Sequence, residues 1–354
     1  MLSRLIDEKN IKELRKLLET CDKIVITTHI APDGDAIGSS LGLANVLNAI
    51  GKTVKVITPE MPPRNLMFLP GAKDIVVYTK YTEFAQQLLR DADLIFALDY
   101  NDIKRIDRVG EALASSKASK AMIDHHLFPG EFVDVKISHP EVSSTSMLVF
   151  RVLCRLELFP YIGKEAATCI YTGMMTDTGN FSYNSNDPDL YIVISELLKK
   201  GINKDAIYSK VYNSNTPDRL RLNGYAIEQK MKVYDSCHGA LITLSREELN
   251  RFHYQKGDTE SLVNVPLSVP DIVFSFFLRE ESDYIKVSAR SKGEFPVNKI
   301  CEEHFNGGGH KNAAGGEFYG TMDEAVAQFE KIIPEYMYLI EQQDVMEFET
   351  KEFS

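Results

Sequence analysis

The sequence predicts an α/β fold: a Rossmann-like domain on a mostly parallel sheet, then a smaller α+β domain, the two joined by a helical linker. Three observations predict it. Short β-rich runs alternate with helical patterns through the first half, as in βαβ units. Several of those runs are continuously apolar, as strands covered on both faces are. The segment Asn184-Ser-Asn-Asp-Pro188 then breaks the alternation, and a new mixed unit starts at Gly239.

The elements follow in order. Leu5, Ile6, Ile11, Leu14, Leu17 and Leu18 recur at helical spacing, so residues 4–20 read as an amphipathic packing helix. A strand is expected over 24–28. Pro32-Asp33-Gly34-Asp35 is turn chemistry, and Asp35 is expected to cap a helix over 36–50. Gly51 stops that helix and a strand follows over 53–58. A loop covers 59–70, a short strand 75–78 and a helix 82–90. Strands over 94–98 and 121–123 bracket a helix around 106–114, and 132–137 reads as an edge strand. Ser143-Ser-Thr-Ser146 opens an apolar helix to 158, and a second buried helix runs over 165–175. Helical patterns over 190–200, 204–212 and 217–233 form the linker. Strand 240–244, helix 246–252, strands 272–279 and 284–290, and helix 297–304 build the last unit. The expected organisation is a metal-binding catalytic domain over 1–185, a linker over 186–233, a substrate-binding domain over 234–340 and a frayed acidic tail over 341–354.

Composition excludes several classes. The 354 residues hold 44% hydrophobic and 26% charged side chains, a soluble balance. Forty basic against 51 acidic residues leave a net charge of -11. Long duplex nucleic acid, which needs many Lys/Arg contacts to phosphate, is therefore not an expected partner. A small phosphate ester in a local site is compatible. The five cysteines are scattered without a Cys-x-x-Cys, as in a reduced cytoplasmic protein. The N-terminus lacks the apolar core of a signal peptide, and no run approaches the ~18 apolar residues of a membrane helix.

The chemistry gathers where apolar runs end. Ala121-Met-Ile-Asp124-His125-His126 ends in one carboxylate and two imidazoles; 23–29 ends in His29, with Asp33 and Asp35 close behind; 93–99 ends in Asp99. A fourth carboxylate, Asp177, lies in Thr176-Asp-Thr-Gly179. Parallel sheets present their chemistry at the carboxyl ends of strands. A surface turn would explain one such motif alone. Four of them, crowding carboxylates and imidazoles together, imply a cation among them.

These residues resemble the DHH phosphoesterase superfamily: His29-Ile-Ala-Pro-Asp33-Gly-Asp35, Leu-Asp99-Tyr-Asn-Asp, Asp124-His125-His126 and Thr-Asp177-Thr-Gly, with Gly307-Gly308-Gly309-His310 near the end. More closely, the chain looks like the two-domain, NrnA-like oligoribonucleases and phosphoadenosine-phosphate phosphatases, and the resemblance covers nearly the whole chain. It implies two divalent ions, Mn²⁺ first, with Mg²⁺ or Co²⁺ as alternatives. His29 and Asp33 would hold one ion. Asp35, His125 and Asp177 would hold the other, and Asp99 would bridge both. His126 would face the substrate phosphate and share the catalytic role with Asp99. Asp124 is expected either to orient His125 or simply to close its strand. Tyr100 departs from the family's small residue there and is expected at the site rim.

Three glycines in a row can be a helix stop after Phe305, or can allow close backbone approach to a phosphate or base. The resemblance favours the second, and makes Gly308, Gly309, His310 and Arg290 substrate contacts, with Asn298 and Arg105 as further candidates. His304 reads as a helix-end residue, and His139, His238 and His253 as surface or core histidines. The expected activity is two-metal hydroxide attack at phosphorus without a covalent intermediate. Short oligoribonucleotides would yield 5′-mononucleotides, and 3′-phosphoadenosine 5′-phosphate would yield AMP. Two alternatives stand beside it: a linear or cyclic dinucleotide (cyclic di-AMP type) phosphodiesterase, and a catalytically silent nucleotide-binding sensor. A homodimer is compatible with everything above.

Overall fold

The computed structural model describes residues 5–339, so the expected acidic tail lies outside the described residues. The chain divides into two compact units, Met1–Ser214 and Asn215–Ser354.

In the first unit, Asp7 caps α1 (Glu8–Thr20) by accepting from Lys9 N, and Ile11, Leu14 and Leu18 face the core. Then come β1 (Lys23–Thr27), α2 (Gly34–Ala49), β2 (Thr53–Thr58), β3 (Val76–Val77), α3 (Thr82–Asp91), β4 (Leu94–Leu98), α4 (Val109–Ser115), β5 (Ser119–Asp124) and β6 (Val135–Ser138). The six strands form one sheet in the order β3-β2-β1-β4-β5-β6, and every pairing is parallel. Period-two side chains decide which face each residue serves. Ile24, Ile26, Phe96, Leu98 and Ile123 pack under α2 and the later helices α5 (Thr145–Arg155) and α6 (Lys164–Asp177). Val25, Ile95, Ala97 and Met122 pack under α3 and α4. Both faces are covered, which explains why the strands read as unbroken apolar runs.

Helices α2 and α6 approach backbone to backbone. A methyl group at Gly38 would lie 2.6 Å from Cys169 O, and one at Gly42 2.5 Å from the Ile170 side chain. The small residues of α2 are therefore packing devices. They bring the start of α2, with Asp35, against the end of α6, with Asp177.

The expected linker does not stand alone. Its first two helices, α7 (Pro188–Lys199) and α8 (Lys204–Tyr212), bury Leu190, Val193, Leu197, Ile207 and Val211 in the first core. The third, α9 (Pro217–Tyr225), buries Leu222 in the second unit. The helix expected to reach residue 233 ends early, in a π-helical turn over Ala226–Lys230, and β7 (Met231–Tyr234) follows. Lys232 and Val233 stay exposed there, because β7 lies at a sheet edge.

The second unit continues with β8 (Gly239–Leu244), α10 (Arg246–Arg251), β9 (Phe274–Glu280), β10 (Ile285–Ser291), α11 (Val297–His304), β11 (Gly308–His310), β12 (Ala313–Phe318) and α12 (Met322–Ile332). Its sheet runs β11-β12-β10-β9-β8-β7, antiparallel except between β8 and β9. Phe274, Phe276, Phe295, Phe305 and Phe329 make the core between the sheet and α11 and α12. The last two strands and α12 were not expected from the sequence. A signal for α12 was present: Thr321 and Glu324 form a capping box. Among the described residues no helix is long and apolar enough to cross a membrane.

Candidate metal centre

The order β1-β4-β5 sets three strand ends side by side, so His29, Asp99 and Asp124 share one sheet edge. Asp99 has φ 64°, a left-handed conformation uncommon for a non-glycine residue, at the point where the chain turns off β4. Its carboxylate is buried and accepts from Thr145 Oγ1 at 2.9 Å.

Two imidazoles reach Asp99 in the same manner. His29 Nδ1 lies 2.7 Å from Ile30 O, and His125 Nδ1 3.1 Å from Val142 O. A carbonyl only accepts, so both rings carry a proton on Nδ1 and turn Nε2 toward the carboxylates. His29 Nε2 stands 3.4 Å from Asp99 Oδ2 and 3.8 Å from Asp33 Oδ1. His125 Nε2 stands 3.7 Å from Asp99 Oδ1 and 3.5 Å from Asp177 Oδ2. The spacing suits a shared cation, since two ligands at ~2.1 Å from one ion sit roughly 3–3.5 Å apart.

The ligand atoms fall into overlapping groups, each within 4.8 Å: His29 with Asp33 and Asp99, Asp35 with His125 and Asp177, and Asp99 with His125 and His126. The first two groups could hold one divalent ion each, with Asp99 reaching both. The donor set of imidazole and carboxylate fits a borderline divalent ion.

The supporting hydrogen bonds differ from expectation at three places. Asp33, not Asp35, caps α2, accepting from Asp35 N and Ala36 N at 3.0 Å each. Asp35 points the other way and accepts from the first turn of α5, Thr145 N at 2.6 Å and Ser146 N at 2.9 Å. Asp124 holds His126, not His125, through Nδ1 at 2.7 Å and the backbone N–H at 3.0 Å. Tyr100 is fully buried rather than at the rim. Its hydroxyl lies 2.7 Å from Thr27 Oγ1, and its ring stacks on Phe132.

Electrostatics show the strain of the bare cluster. Burial raises Asp35 well above the usual carboxylate range, with Asp99 and Asp177 adding to it. Burial likewise carries Asp177 to about 7, against the pull of His125. Burial works against charge on His29, yet hydrogen bonds to Asp33 and Asp99 hold it at about 10. His125 is held at about 9 against burial by Asp177, Asp99 and Asp35.

Sequence reasoning missed Thr145, whose hydroxyl and amide serve two carboxylates at once, and Gly173. A methyl at Gly173 would lie 1.9 Å from Ser146 Oγ and 2.9 Å from Asp35 Oδ1. The Ser143-Ser-Thr-Ser146 run was the available signal, read only as a helix start. Arg105 contributes backbone: its carbonyl accepts from Ile30 N at 2.7 Å. The remaining candidates lie in the second unit. Arg290, on β10, donates from Nη1 to Ala289 O at 2.8 Å and Ala314 O at 3.3 Å. Asn298 sits in the first turn of α11, and its Oδ1 is buried without a hydrogen-bond partner. Gly308, Gly309 and His310 pair with Gly315, Ala314 and Ala313. Gly309 has φ 144°, and a methyl there would lie 2.6 Å from Ala313 O; one at Gly307 would lie 1.9 Å from Gly315 O. The close backbone approach of these two glycines is to β12.

Residues 23–174 match the DHH family, N-terminal domain, and residues 247–337 match the DHHA1 domain. The bifunctional oligoribonuclease and PAP phosphatase NrnA of Thermus thermophilus is 32% identical over 89% of this chain and 90% of its own length. The chain belongs to the DHH family. It is an NrnA-like member and a phosphoesterase. An exopolyphosphatase-related protein of Bacteroides fragilis has a solved structure that is 54% identical, covers 96% of this DHH chain and 100% of that one, and superposes with a TM-score of 0.95. RecJ of Thermus thermophilus in complex with Mn²⁺ shares the fold at 13% identity and a TM-score of 0.54, over 93% of this chain and 55% of that one.

Proposed function

We propose that this DHH protein hydrolyses short oligoribonucleotides to 5′-mononucleotides and 3′-phosphoadenosine 5′-phosphate to AMP, with two divalent ions, Mn²⁺ first. One observation carries the reading: buried Asp99 stands between two imidazole Nε2 atoms, each with its own further carboxylate. Such a shared carboxylate is what a pair of ions requires and what simple nucleotide binding does not. Two bound ions lower the pKa of water and neutralise the charge on the phosphate.

The chain's own residues do the rest. His29 and Asp33 would hold one ion, Asp35, His125 and Asp177 the other, and Asp99 would reach both. Thr145 fixes the orientation of Asp99, and the carbonyls of Ile30 and Val142 fix the two imidazoles. Asp124 keeps the His126 proton on Nδ1, so that Nε2 faces the substrate phosphate. Arg290, His310, Gly308, Gly309 and Asn298 are the second unit's substrate contacts, and the buried Oδ1 of Asn298, without a hydrogen-bond partner, supports that reading. A net charge of -11 suits short substrates. Five free cysteines support a reducing, cytoplasmic setting.

A panel of di- to pentaribonucleotides, 3′-phosphoadenosine 5′-phosphate, cyclic dinucleotides and pyrophosphate, with and without Mn²⁺, tests this. Metal-dependent mononucleotide release from the short RNAs is expected. Preference for cyclic dinucleotides would replace the reading with a cyclic dinucleotide phosphodiesterase, and binding without turnover with a sensor.

A further inference from the structure

We propose that Phe128 is a nucleobase platform beside the metal centre, stacking on the base of the nucleotide whose phosphate is attacked. The inference rests on the phosphoesterase reading above and adds a subsite to it. A lone exposed apolar side chain is ordinary on a protein surface. Phe128 differs in position, conformation and support.

In position, it lies two residues beyond His126, on the loop that leaves β5. Phe128 is 88% exposed, the most of any large apolar residue among the described residues, and Leu127 beside it is 52% exposed. In conformation, its φ is 59°, a left-handed value that a bulky side chain adopts only when its surroundings impose it. Pro129 follows and further restricts its backbone. In support, one residue grips both sides of it: Asn101 Nδ2 donates to Leu127 O at 2.6 Å, and Gly130 N donates to Asn101 O at 2.7 Å. Asn101 is itself two residues beyond Asp99. The shared carboxylate and the exposed ring are thus built on one short frame, at adjacent strand ends.

The chemistry fits a base. In a nucleotide, the base lies one sugar away from the phosphate. A flat aromatic ring stacks on any base, which suits mixed short RNA and adenine alike. Stacking also supplies affinity that a chain with net charge -11 does not gain from basic residues. A ring already held in place loses little freedom on binding.

The test compares Phe128→Ala and Phe128→Trp with the parent enzyme in Mn²⁺. Two probes are used: the 5′-phosphorylated diadenosine pApA, and the same molecule lacking the base on the nucleotide whose phosphate is attacked. Phe128→Ala is expected to raise KM for pApA about 5- to 150-fold with kcat little changed. On the abasic probe its KM should stay within about twofold of the parent. Phe128→Trp should restore the pApA value. Melting curves should be unchanged, since the ring is in solvent. No loss on pApA, an equal loss on both probes, or failure of Trp to restore binding overturns the platform. A parent enzyme inactive on both probes overturns the proposed oligoribonuclease activity itself, and the platform with it.

Discussion

At the edge of the first sheet, Asp35, Asp99 and Asp124 are buried, and each accepts hydrogen bonds that hold a neighbouring helix or ring in place. On β11 of the second unit, His310 is exposed, and the glycines before it act through having no side chain at all. Both stretches stood out in the sequence for the same reason, an unusual run of chemistry-bearing residues. The difference shows that a motif can be dense because charges must meet, or because backbones must. In the first case each residue's state depends on its neighbours' charge. In the second the positions act nearly independently, and one glycine can be open while its neighbours are not.

Four measurements sharpen or break that contrast. The largest effect belongs to Asp99→Ala, which should lower kcat by about 10³-fold or more, beyond the 10- to 100-fold typical of residues that only orient ligands. Turnover within tenfold of the parent would mean that no carboxylate is shared.

Asp124→Asn comes next. It replaces one of the two oxygens that accept from His126 N and Nδ1 by an amide donor, which disfavours the Nδ1–H tautomer, with an expected loss of about 10- to 100-fold in kcat. Mn²⁺ affinity by calorimetry should hold, because His125 is fixed by Val142 O instead. A large loss of metal would reassign Asp124 to the ions.

The third concerns pH. Without metal, His29 titrates at about 10 and His125 at about 9, so both are protonated at neutral pH and must lose those protons to bind. Metal binding therefore releases protons. Affinity for Mn²⁺ should rise from pH 6 to pH 9, by up to about tenfold per pH unit for each proton released. An affinity flat over that range would remove the imidazoles from the ligand set.

The smallest effect separates adjacent glycines. Gly309→Ala meets Ala313 O at 2.6 Å with φ 144°, and should cost about 1–3 kcal/mol, read as a lower melting temperature. Gly308→Ala meets only the Glu302 side chain at 3.6 Å, and should stay within about 0.5 kcal/mol. Equal losses would show that the glycines act as one unit after all.

Much of the fold was legible because burial on both faces of a parallel sheet writes continuous apolar runs into the chain. Strands β2 and β4 and helices α8 and α11 fall on their expected bounds; β4 is buried throughout, and Asn203 caps α8 by accepting from Ala206 N. Strand β7 was not legible: Met231 to Tyr234 continues a helical pattern, and only the sheet edge beside β8 makes it extended. The linker's division was equally hidden, since amphipathic helices state that they pack and not on what.

Residue types and their spacing determined by themselves that carboxylates and imidazoles would collect at strand ends, because few other arrangements tolerate so many ionisable groups among apolar runs. Only the tertiary structure decided what each oxygen does. Asp33 and Asp35 are two residues apart and chemically identical, yet one caps its own helix and the other receives the amides of α5. A carboxylate serves as cap, second partner or ligand with equal ease. The choice follows from which donors the packed helices aim at it, and that direction is a property of the assembled core.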